Sequence, residues 1–161
     1  MPALDLVEFR QFQPADLEQV LALERTAFSD QDLYNRLVMN LEDLHDIPAN
    51  YFDKRGDFLV GAYGEEVVAM GGLRQKTDTR VSIGRMRTKR EFQGLHIGRQ
   101  MLALLEARAI ELGYTSAMLS TSVDIEQQPA RRLYESSGYK MTHIEPWLVL
   151  EIHYRKELQA A

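Results

Sequence analysis

Residues 85–102 read RMRTKREFQGLHIGRQML, and they contain the most informative transition in the chain. The first residues continue a predicted strand over 80–88, and the last open a predicted amphipathic helix over 97–112. Between the two lies a turn that contains Gly94 and Gly98. A turn that leads into a helix presents unpaired backbone N–H groups, and the helix dipole adds partial positive charge there. This unit predicts a site for a pyrophosphate, although two glycines beside a helix start are also common in ordinary turns.

Basic residues are concentrated around this strand, turn and helix. Residues 74–99 contain eight Lys and Arg and two acidic residues, whereas the whole chain has 19 Lys+Arg against 24 Asp+Glu and a formal net charge of −5. A local basic stretch in an acidic protein favours an anion site, because a nucleic-acid surface usually spreads over a whole face. The alternative is a solvated strand face. We therefore expect no nucleic-acid partner.

The length and composition predict an ordinary globular protein. The chain has 161 residues, which predicts one domain over residues 1–161. It contains no cysteine, which excludes disulfides, thiolate metal sites and a cysteine nucleophile. No apolar run approaches the roughly 20 residues that a membrane helix needs. The N-terminal residues MPALDLVEFR include Asp5 and lack the apolar core of a signal peptide. These features predict a cytoplasmic protein without a membrane partner.

Hydrophobic periodicity predicts the remaining elements. Two helices precede a β-hairpin, and a strand, a short helix and two closing strands follow the helix over 97–112. The additional predicted ranges are strand 5–12, helix 14–28, a second helix from Ser29 to Pro48, loop 49–57, strands 58–63 and 67–73, strand 117–122, helix 128–137, and strands 139–145 and 147–154 separated by Pro146. Gly84 inside the strand over 80–88 indicates a bulge or a close backbone approach. The order β-α-α-β-β-β-α-β-α-β-β predicts a mixed α/β sheet.

A second motif lies near the C-terminus, where residues 129–139 read PARRLYESSGY. Together with the turn over 93–98, it resembles the GCN5-related N-acetyltransferase (GNAT) superfamily. The cofactor loop of that family follows Q/R-x-x-G-x-G/A, and its late helix commonly ends in A-x-x-L-Y-E-x-x-G-F/Y. Gln93 and Gly98 match the loop pattern, and residues 130–139 match the second pattern throughout. The resemblance implies a single-domain acyl-CoA N-acyltransferase fold, α/β in class, with a mixed, mostly antiparallel sheet flanked by helices.

The resemblance implies an enzyme that transfers an acetyl group from acetyl-CoA to a primary amine by direct attack, with no metal. In this family the backbone of the strand before the loop pairs with the pantetheine arm and polarises the acetyl carbonyl, and the backbone N–H groups of the loop receive the pyrophosphate. The residues implied to bind the cofactor are Met86, Arg87, Thr88, Gln93, Gly94, Leu95, His96, Ile97, Gly98, Arg99 and Gln127.

Three of the implied site residues have distinct roles. Tyr134 matches the tyrosine that faces the departing thiolate of coenzyme A, where a phenol can donate a proton or a hydrogen bond. Gln127 stands where many members have an asparagine that touches the pantetheine, although Gln128 could replace it or both could serve only as helix caps. His96 replaces the middle glycine of the loop. It is either a tolerated loop residue, with its amide available in right-handed helical φ and ψ, or a hydrogen-bond donor to a phosphate.

The general base stays unassigned. Many family members carry a glutamate on the strand before the loop, where this chain reads VSIG over 81–84. The candidates elsewhere, each of which also fits a solvated surface group, are Glu24, Asp30, Asp32, His143, Glu145, Glu151 and His153. The missing carboxylate keeps open a second hypothesis, a non-catalytic acyl-CoA-binding sensor or scaffold of the same fold.

The acceptor can be predicted only in outline. Residues 1–46 contain ten acidic and three basic residues. Helices of this segment form walls of the acceptor site in the family, so their charge favours a cationic amine, such as a polyamine, an aminoglycoside, or a peptide N-terminus or lysine. The resemblance to the family is also compatible with a homodimer.

Overall fold

The structure is a computed structural model that describes residues 4–26, 40–122, 128–146 and 150–159. These residues contain seven strands and five α-helices. The strands are β1 (Val7–Gln11), β2 (Asp57–Tyr63), β3 (Glu66–Gln75), β4 (Arg80–Thr88), β5 (Ser116–Ser122), β6 (Lys140–Pro146) and β7 (Leu150–Glu157). The helices are α1 (Leu17–Arg25), α2 (Glu42–His45), α3 (Ile47–Asn50), α4 (Ile97–Glu111) and α5 (Gln128–Ser136). None of the helices in these ranges is long and apolar enough to cross a membrane.

The strands of the described residues form one sheet, in the order β1-β2-β3-β4-β5-β7-β6. Neighbouring strands are antiparallel except β4 and β5, which are parallel. The β4–β5 ladder is short and pairs only Arg80–Ser82 with Ser116–Met118. The ladder ends there, so the two strands separate toward their carboxyl ends. The mixed, mostly antiparallel α/β sheet predicted from the sequence is confirmed.

Helices cover both faces of the sheet, as two adjacent glycines on β3 show. A Cβ atom on Gly71 would lie 2.6 Å from Leu105 of α4, and one on Gly72 would lie 2.6 Å from Tyr51, the residue after α3. Successive strand residues point to opposite faces, so α4 packs on one face and the α1–α3 segment on the other. One buried cluster lies around α4 and β5, and a second lies around α1, α3 and β2.

A β-bulge interrupts β4. Residues 70–72 of β3 stand opposite residues 84–87 of β4, so β4 carries one extra residue. Arg85 lies in this bulge with a φ of 56°, a left-handed conformation. The bulge predicted at Gly84 is therefore found one residue further along. The close backbone approach, which was the alternative, is not found, because a Cβ on Gly84 would meet no atom within 4 Å.

Buried ion pairs hold Arg85 in this conformation. Its guanidinium donates to Glu24 Oε1 at 2.7 Å and to Asp43 Oδ1 at 2.6 Å. Glu24 is only 2% exposed and also pairs with Arg87, whose Nε lies 3.0 Å from Glu24 Oε2. Tyr51 donates a hydrogen bond to Asp43. These contacts link α1, α2 and the residue after α3 to the bulge of β4.

The network keeps Arg85 and Asp43 charged. Burial alone would lower the pKa of Arg85, but the hydrogen bond to Asp43 and the charges of Glu24 and Asp43 outweigh it and raise that pKa. Burial would likewise raise the pKa of Asp43, but hydrogen bonds from Arg85 and Tyr51 outweigh it and lower that pKa. Both partners therefore stay ionised at neutral pH, and their attraction is present under ordinary conditions.

The segment before β2 differs from the prediction. Residues 27–39, which include the start of the predicted second helix, lie outside the described residues. Asp46 follows α2 and caps α3, because its carboxylate accepts a hydrogen bond from the Ala49 amide at 3.1 Å. Pro48 therefore stands in the first turn of α3 instead of ending a helix, a place where its missing N–H costs no hydrogen bond. The loop predicted over 49–57 is wrong in its first half, which contains the end of α3 and a 3₁₀ turn.

The closing hairpin is shifted relative to the prediction. Pro146 does not separate two strands but is the last residue of β6, where it pairs with Leu150 of β7. Proline is tolerated there because β6 is an edge strand. The last strand also continues beyond residue 154 to Glu157, because its antiparallel pairing with β5 extends to Ser116.

The turn before α4 contains a left-handed residue that is not glycine. His96, at the N-cap of α4, has φ 63° and ψ 18°. The expectation of right-handed helical values at His96 is therefore wrong. Gly94 also has a positive φ, 79°, so two left-handed residues lie between the 3₁₀ turn at Arg90–Phe92 and α4. Gly94 adopts this conformation without the steric cost that a Cβ atom brings at His96.

Replacing Arg85 with alanine should lower the free energy of unfolding by about 3 kcal/mol, because the buried carboxylate of Glu24 loses a partner. Chemical denaturation at neutral pH measures the change. Glu157→Ala removes an exposed ion pair with Arg155 and should cost less than about 1 kcal/mol. Equal effects of the two substitutions would contradict the structural role of the network.

Replacing His96 with glycine should raise the free energy of unfolding by up to about 1 kcal/mol. Removing the left-handed strain raises the free energy of unfolding by about 1–2 kcal/mol. The greater conformational freedom of glycine in the unfolded chain reduces that gain by about 0.4–1 kcal/mol. His96→Ala keeps the Cβ atom and should bring no gain. Denaturant unfolding of the three proteins gives the comparison, and a loss of stability in His96→Gly would show that imidazole contacts exceed the strain.

Candidate functional site

A cleft of about 1250 Å³ lies at the carboxyl end of β4, beyond its short ladder with β5. Its walls are the carboxyl end of α1, the end of β4, the turn into α4, and α5. Open α/β sheets commonly bind ligands at such a place, beyond the carboxyl ends of diverging strands. The predicted site residues that line the cleft are Met86, Arg87, Thr88, Gln93, Gly94, His96, Ile97, Gly98, Arg99 and Tyr134.

Two predicted cofactor-binding residues are not among the lining residues. The Leu95 side chain packs against the core around α4. Gln127 lies outside the described residues, so its contact with a pantetheine arm stays a prediction. Gln128, the alternative to it, is the exposed first residue of α5.

The structure adds lining residues that the sequence did not reveal. Leu23, Arg25 and Thr26 reach the cleft from the end of α1, and Arg132 reaches it from α5. Pro129 and Arg132 lie three residues apart on one face of α5, but no signal in the sequence indicates that this face borders the cleft. The α1 residues carry no such signal, since apolar packing and ion pairs with elements distant in the chain bring that helix here.

Apolar anchors fix the turn that leads into α4. Phe92 and Ile97 are buried, and the Phe92 ring packs against Tyr63 with ring centroids 5.4 Å apart. Gln93 Nε2 donates to the Thr88 carbonyl at 3.1 Å and so ties the turn to the end of β4. The first N–H groups of α4 have no acceptor within the helix, as at any helix start. The turn therefore holds backbone donors beside the cleft.

Basic side chains outnumber acidic ones in the cleft although the protein is acidic. Among the described residues that line it, Glu91 is the one acidic side chain, and the six basic ones are Arg25, Arg87, Lys89, Arg90, Arg99 and Arg132. Two of the six are paired with acidic groups outside the lining, Arg87 with Glu24 and Lys89 with Glu66. Arg99 Nη2 also donates to Ser136 Oγ at 3.0 Å, which connects the first turn of α4 to α5. This balance agrees with the local anion site predicted from the charge of residues 74–99.

Gly98 lies where α4, α5 and β4 approach one another. A Cβ atom there would be 3.5 Å from Leu133 Cδ2 and 3.9 Å from Thr88 Oγ1. These are ordinary contact distances, so a methyl group fits here, and a larger side chain would extend beyond it toward the cleft. The space beside the start of α4 is therefore kept clear by the small size of this residue.

Tyr134 forms part of the cleft wall on α5. It is 8% exposed, and its ring packs against Tyr139 and Tyr154, with ring centroids 6.2 and 6.1 Å away. Burial raises the pKa of Tyr134 above its usual value of 10.0, and the positive charge of Arg87 opposes this in part. The phenol is therefore protonated at neutral pH and is available as a donor.

The candidate bases lie apart from the cleft or are already paired. Both carboxylate oxygens of Glu24 lie within 3.1 Å of a guanidinium nitrogen, so this group is not available to an amine. Asp30 and Asp32 lie outside the described residues. The four candidates on β6 and β7 do not line the cleft. The described residues therefore offer no assigned base.

The acidic N-terminal segment is partly neutralised within the fold. Asp16 pairs with Arg10 at 2.7 Å, and Glu24 and Asp43 pair with Arg85. These three carboxylates cannot attract a cationic acceptor as the net charge of residues 1–46 suggests. The preference for a cationic amine stays a prediction that depends on the other acidic residues of that segment.

Solved structures share this fold at low sequence identity. An acetyltransferase from Streptococcus agalactiae matches with a TM-score of 0.81 at 20% identity, over 94% of this chain and 98% of that chain. A GNAT-family acetyltransferase from Staphylococcus aureus matches with a TM-score of 0.81 at 16% identity, over 95% and 99%. The PaiA N-acetyltransferase from Thermoplasma acidophilum, solved in complex with coenzyme A, matches with a TM-score of 0.77 at 14% identity, over 94% and 98%. Comparison with curated proteins gives no match.

A sequence model of the acetyltransferase (GNAT) family matches residues 17–139. The matched range contains α1, both motifs and every residue that lines the cleft. The match covers most of the chain, and the solved structures with the same fold include acetyltransferases. The chain therefore belongs to the acetyltransferase (GNAT) family.

Proposed function

We propose that this protein is an acetyl-CoA-dependent N-acetyltransferase that acts on a primary amine. The observation that carries the proposal is that one cleft collects the end of β4, the turn into α4 and the Tyr134 phenol. Family membership supports acetyl transfer in general. The coenzyme A complex of the PaiA N-acetyltransferase, which has the same fold, supports the identity of the donor.

The cleft fits the parts of coenzyme A. Backbone N–H groups at the start of α4 would hold the pyrophosphate, with the basic side chains around them as counter-charges. The end of β4, beyond its short ladder with β5, would pair with the pantetheine arm. Gly98 would let the pyrophosphate approach the helix start, because no side chain fills that space. The thiol end would face Tyr134.

The chain itself would contribute orientation, polarisation and a proton. Bound acetyl-CoA supplies an activated acetyl thioester. Backbone amides of β4 would polarise the acetyl carbonyl, and the walls of the cleft would position the amine against it. Tyr134 would donate its proton to the leaving sulfur, since a phenol with a pKa above 10.0 is protonated at neutral pH. A route by direct attack agrees with a chain that has no cysteine to carry the acetyl group.

The test is release of coenzyme A with a panel of polyamines, aminoglycosides and lysine peptides. Because the chain has no cysteine, a thiol reagent reports coenzyme A alone. We expect turnover with at least one amine, and stabilisation against unfolding of about 2.7 kcal/mol at an acetyl-CoA concentration 100 times Kd. Stabilisation without turnover across the panel would favour the acyl-CoA sensor. No stabilisation at millimolar acetyl-CoA would contradict the acyl-CoA site itself.

Gly98→Leu should weaken acetyl-CoA binding by at least about tenfold, which corresponds to 1.4 kcal/mol. The leucine side chain would project beyond the Cβ position into the cleft beside the start of α4, where the pyrophosphate would bind. Gly98→Ala is the matched control and should bind nearly as the native protein does. Calorimetric titration with acetyl-CoA gives both affinities, and equal affinity of the Leu and Ala variants would place the pyrophosphate elsewhere.

Tyr134→Phe should lower kcat by about 100-fold or more, because it removes the donated proton and keeps the ring. Since the loss acts on the transition state, kcat and kcat/KM should fall together. The pKa of Tyr134 lies above 10.0, so its ionisation should reduce activity only at more alkaline pH, and that limb should be absent from the variant.

Tyr139→Phe is the matched control for this substitution. The Tyr139 hydroxyl donates to Glu106 at 2.7 Å, and the residue does not line the cleft. We expect native kcat and pH dependence from it. Near-native kcat in Tyr134→Phe, with unfolding temperatures of both variants close to native, would show that Tyr134 only packs.

A further inference from the structure

Three side chains of metal-binding type meet on the closing hairpin, outside the cleft. His143 and Glu145 lie on β6, and His153 lies on β7. Their donor atoms all lie within 4.8 Å of one another. His143 pairs with His153 across the ladder, and Glu145 pairs with Glu151, so the register of the hairpin brings them together.

The cluster lies on the sheet face opposite α4 and α5. On β7, Tyr154 and Lys156 hydrogen-bond to residues of α5 and α4, so they point toward those helices. His153 stands next to Tyr154 and therefore points to the other face. Its side chain is 14% exposed, whereas His143 and Glu145 are exposed. An ion from solvent can reach the cluster from that side.

The nitrogens of His153 are left without hydrogen bonds. Both are buried, and neither has a hydrogen-bond partner among the described residues. Glu145 Oε2 lies 3.0 Å from Nε2 but without the alignment of a hydrogen bond. Zinc bonds of about 2.0–2.2 Å place tetrahedral N and O ligands roughly 3.3–3.5 Å apart, so this close pair fits two ligands of one ion.

His143 has the partner that a metal-binding imidazole needs. Its Nδ1 lies 2.9 Å from Thr142 Oγ1, and a hydrogen bond there leaves Nε2 as the nitrogen for an ion. The rings of His143 and His153 are stacked, with centroids 4.3 Å apart and planes 7° from parallel. Because an ion binds in the plane of an imidazole, the rings must tilt apart, which the exposed His143 on an edge strand can do by rotation about its side-chain bonds.

We propose that His143, Glu145 and His153 bind a divalent transition-metal ion, with zinc as the first choice. Two imidazoles and one carboxylate suit zinc, whereas magnesium and calcium prefer oxygen ligands throughout. Three protein ligands leave a fourth position for water. A second carboxylate stands beside the cluster, since Glu151 Oε2 lies 3.8 Å from His153 Nε2. The site does not depend on the proposed acetyl transfer.

The test is isothermal titration of the untagged full chain with zinc chloride, after treatment with a chelator and dialysis. We expect saturable binding of one zinc ion per chain. Cobalt(II) in place of zinc should give visible absorption bands that saturate at the same ratio. Zinc should also raise the unfolding temperature in proportion to its occupancy of the folded state.

His143→Gln, His153→Gln and Glu145→Gln should each weaken zinc binding by at least about tenfold. His45→Gln is the matched control, because His45 is an exposed histidine of α2, and it should bind zinc as the native protein does. His143 and Glu145 are exposed, so their substitution leaves the core intact, which circular dichroism verifies. Absence of saturable zinc binding, or native affinity in both histidine variants, would overturn the assignment.

Discussion

The burial of the Glu24 carboxylate between α1 and the sheet constrains the rest of the structure. A carboxylate that is 2% exposed needs close cationic partners, and Arg85 and Arg87 of β4 provide them. Arg85 reaches Glu24 and Asp43 together from the left-handed position in the bulge. Buried ion pairs add little net stability compared with apolar packing, but they allow few alternative arrangements. Here they fix where α1 and α2 lie against β4.

The cleft follows from that placement. With α1 held against β4, its last residues form one wall, and the end of β4 forms the next. The same ion pairs also separate the acidic groups of the protein from its basic groups. Acidic groups of the N-terminal segment are paired inside the fold, whereas the basic groups at the end of β4 and the start of α4 face the cleft. A chain with a net charge of −5 can therefore present a positive site to a polyanion.

The element order and the main residues of the cleft could be predicted from the sequence because both are encoded locally. The turn over 93–98 and the motif over 129–139 are short, and periodicity locates the strands and helices around them. The individual α1 residues that line the cleft could not be predicted, because their place depends on contacts such as that of Glu24 with Arg85, 61 positions apart. The cluster of His143, Glu145 and His153 was equally hidden. Its members become neighbours only through the register of a hairpin, which their spacing along the chain does not specify.

The left-handed conformation of His96 has a different cause from the other two non-glycine cases. Among the described residues, those other than glycine with positive φ are Arg55, Arg85 and His96. Side-chain contacts hold the first two, since Arg55 donates to two backbone carbonyls and stacks on Tyr114, and Arg85 belongs to the buried network. The His96 ring has no hydrogen bond to a described residue and lines the cleft. Strained residues persist where their surroundings impose them, and here the imposing element is the turn that leads into α4 beside the cleft. The strain at this position is thus a cost of the short connection between β4 and α4.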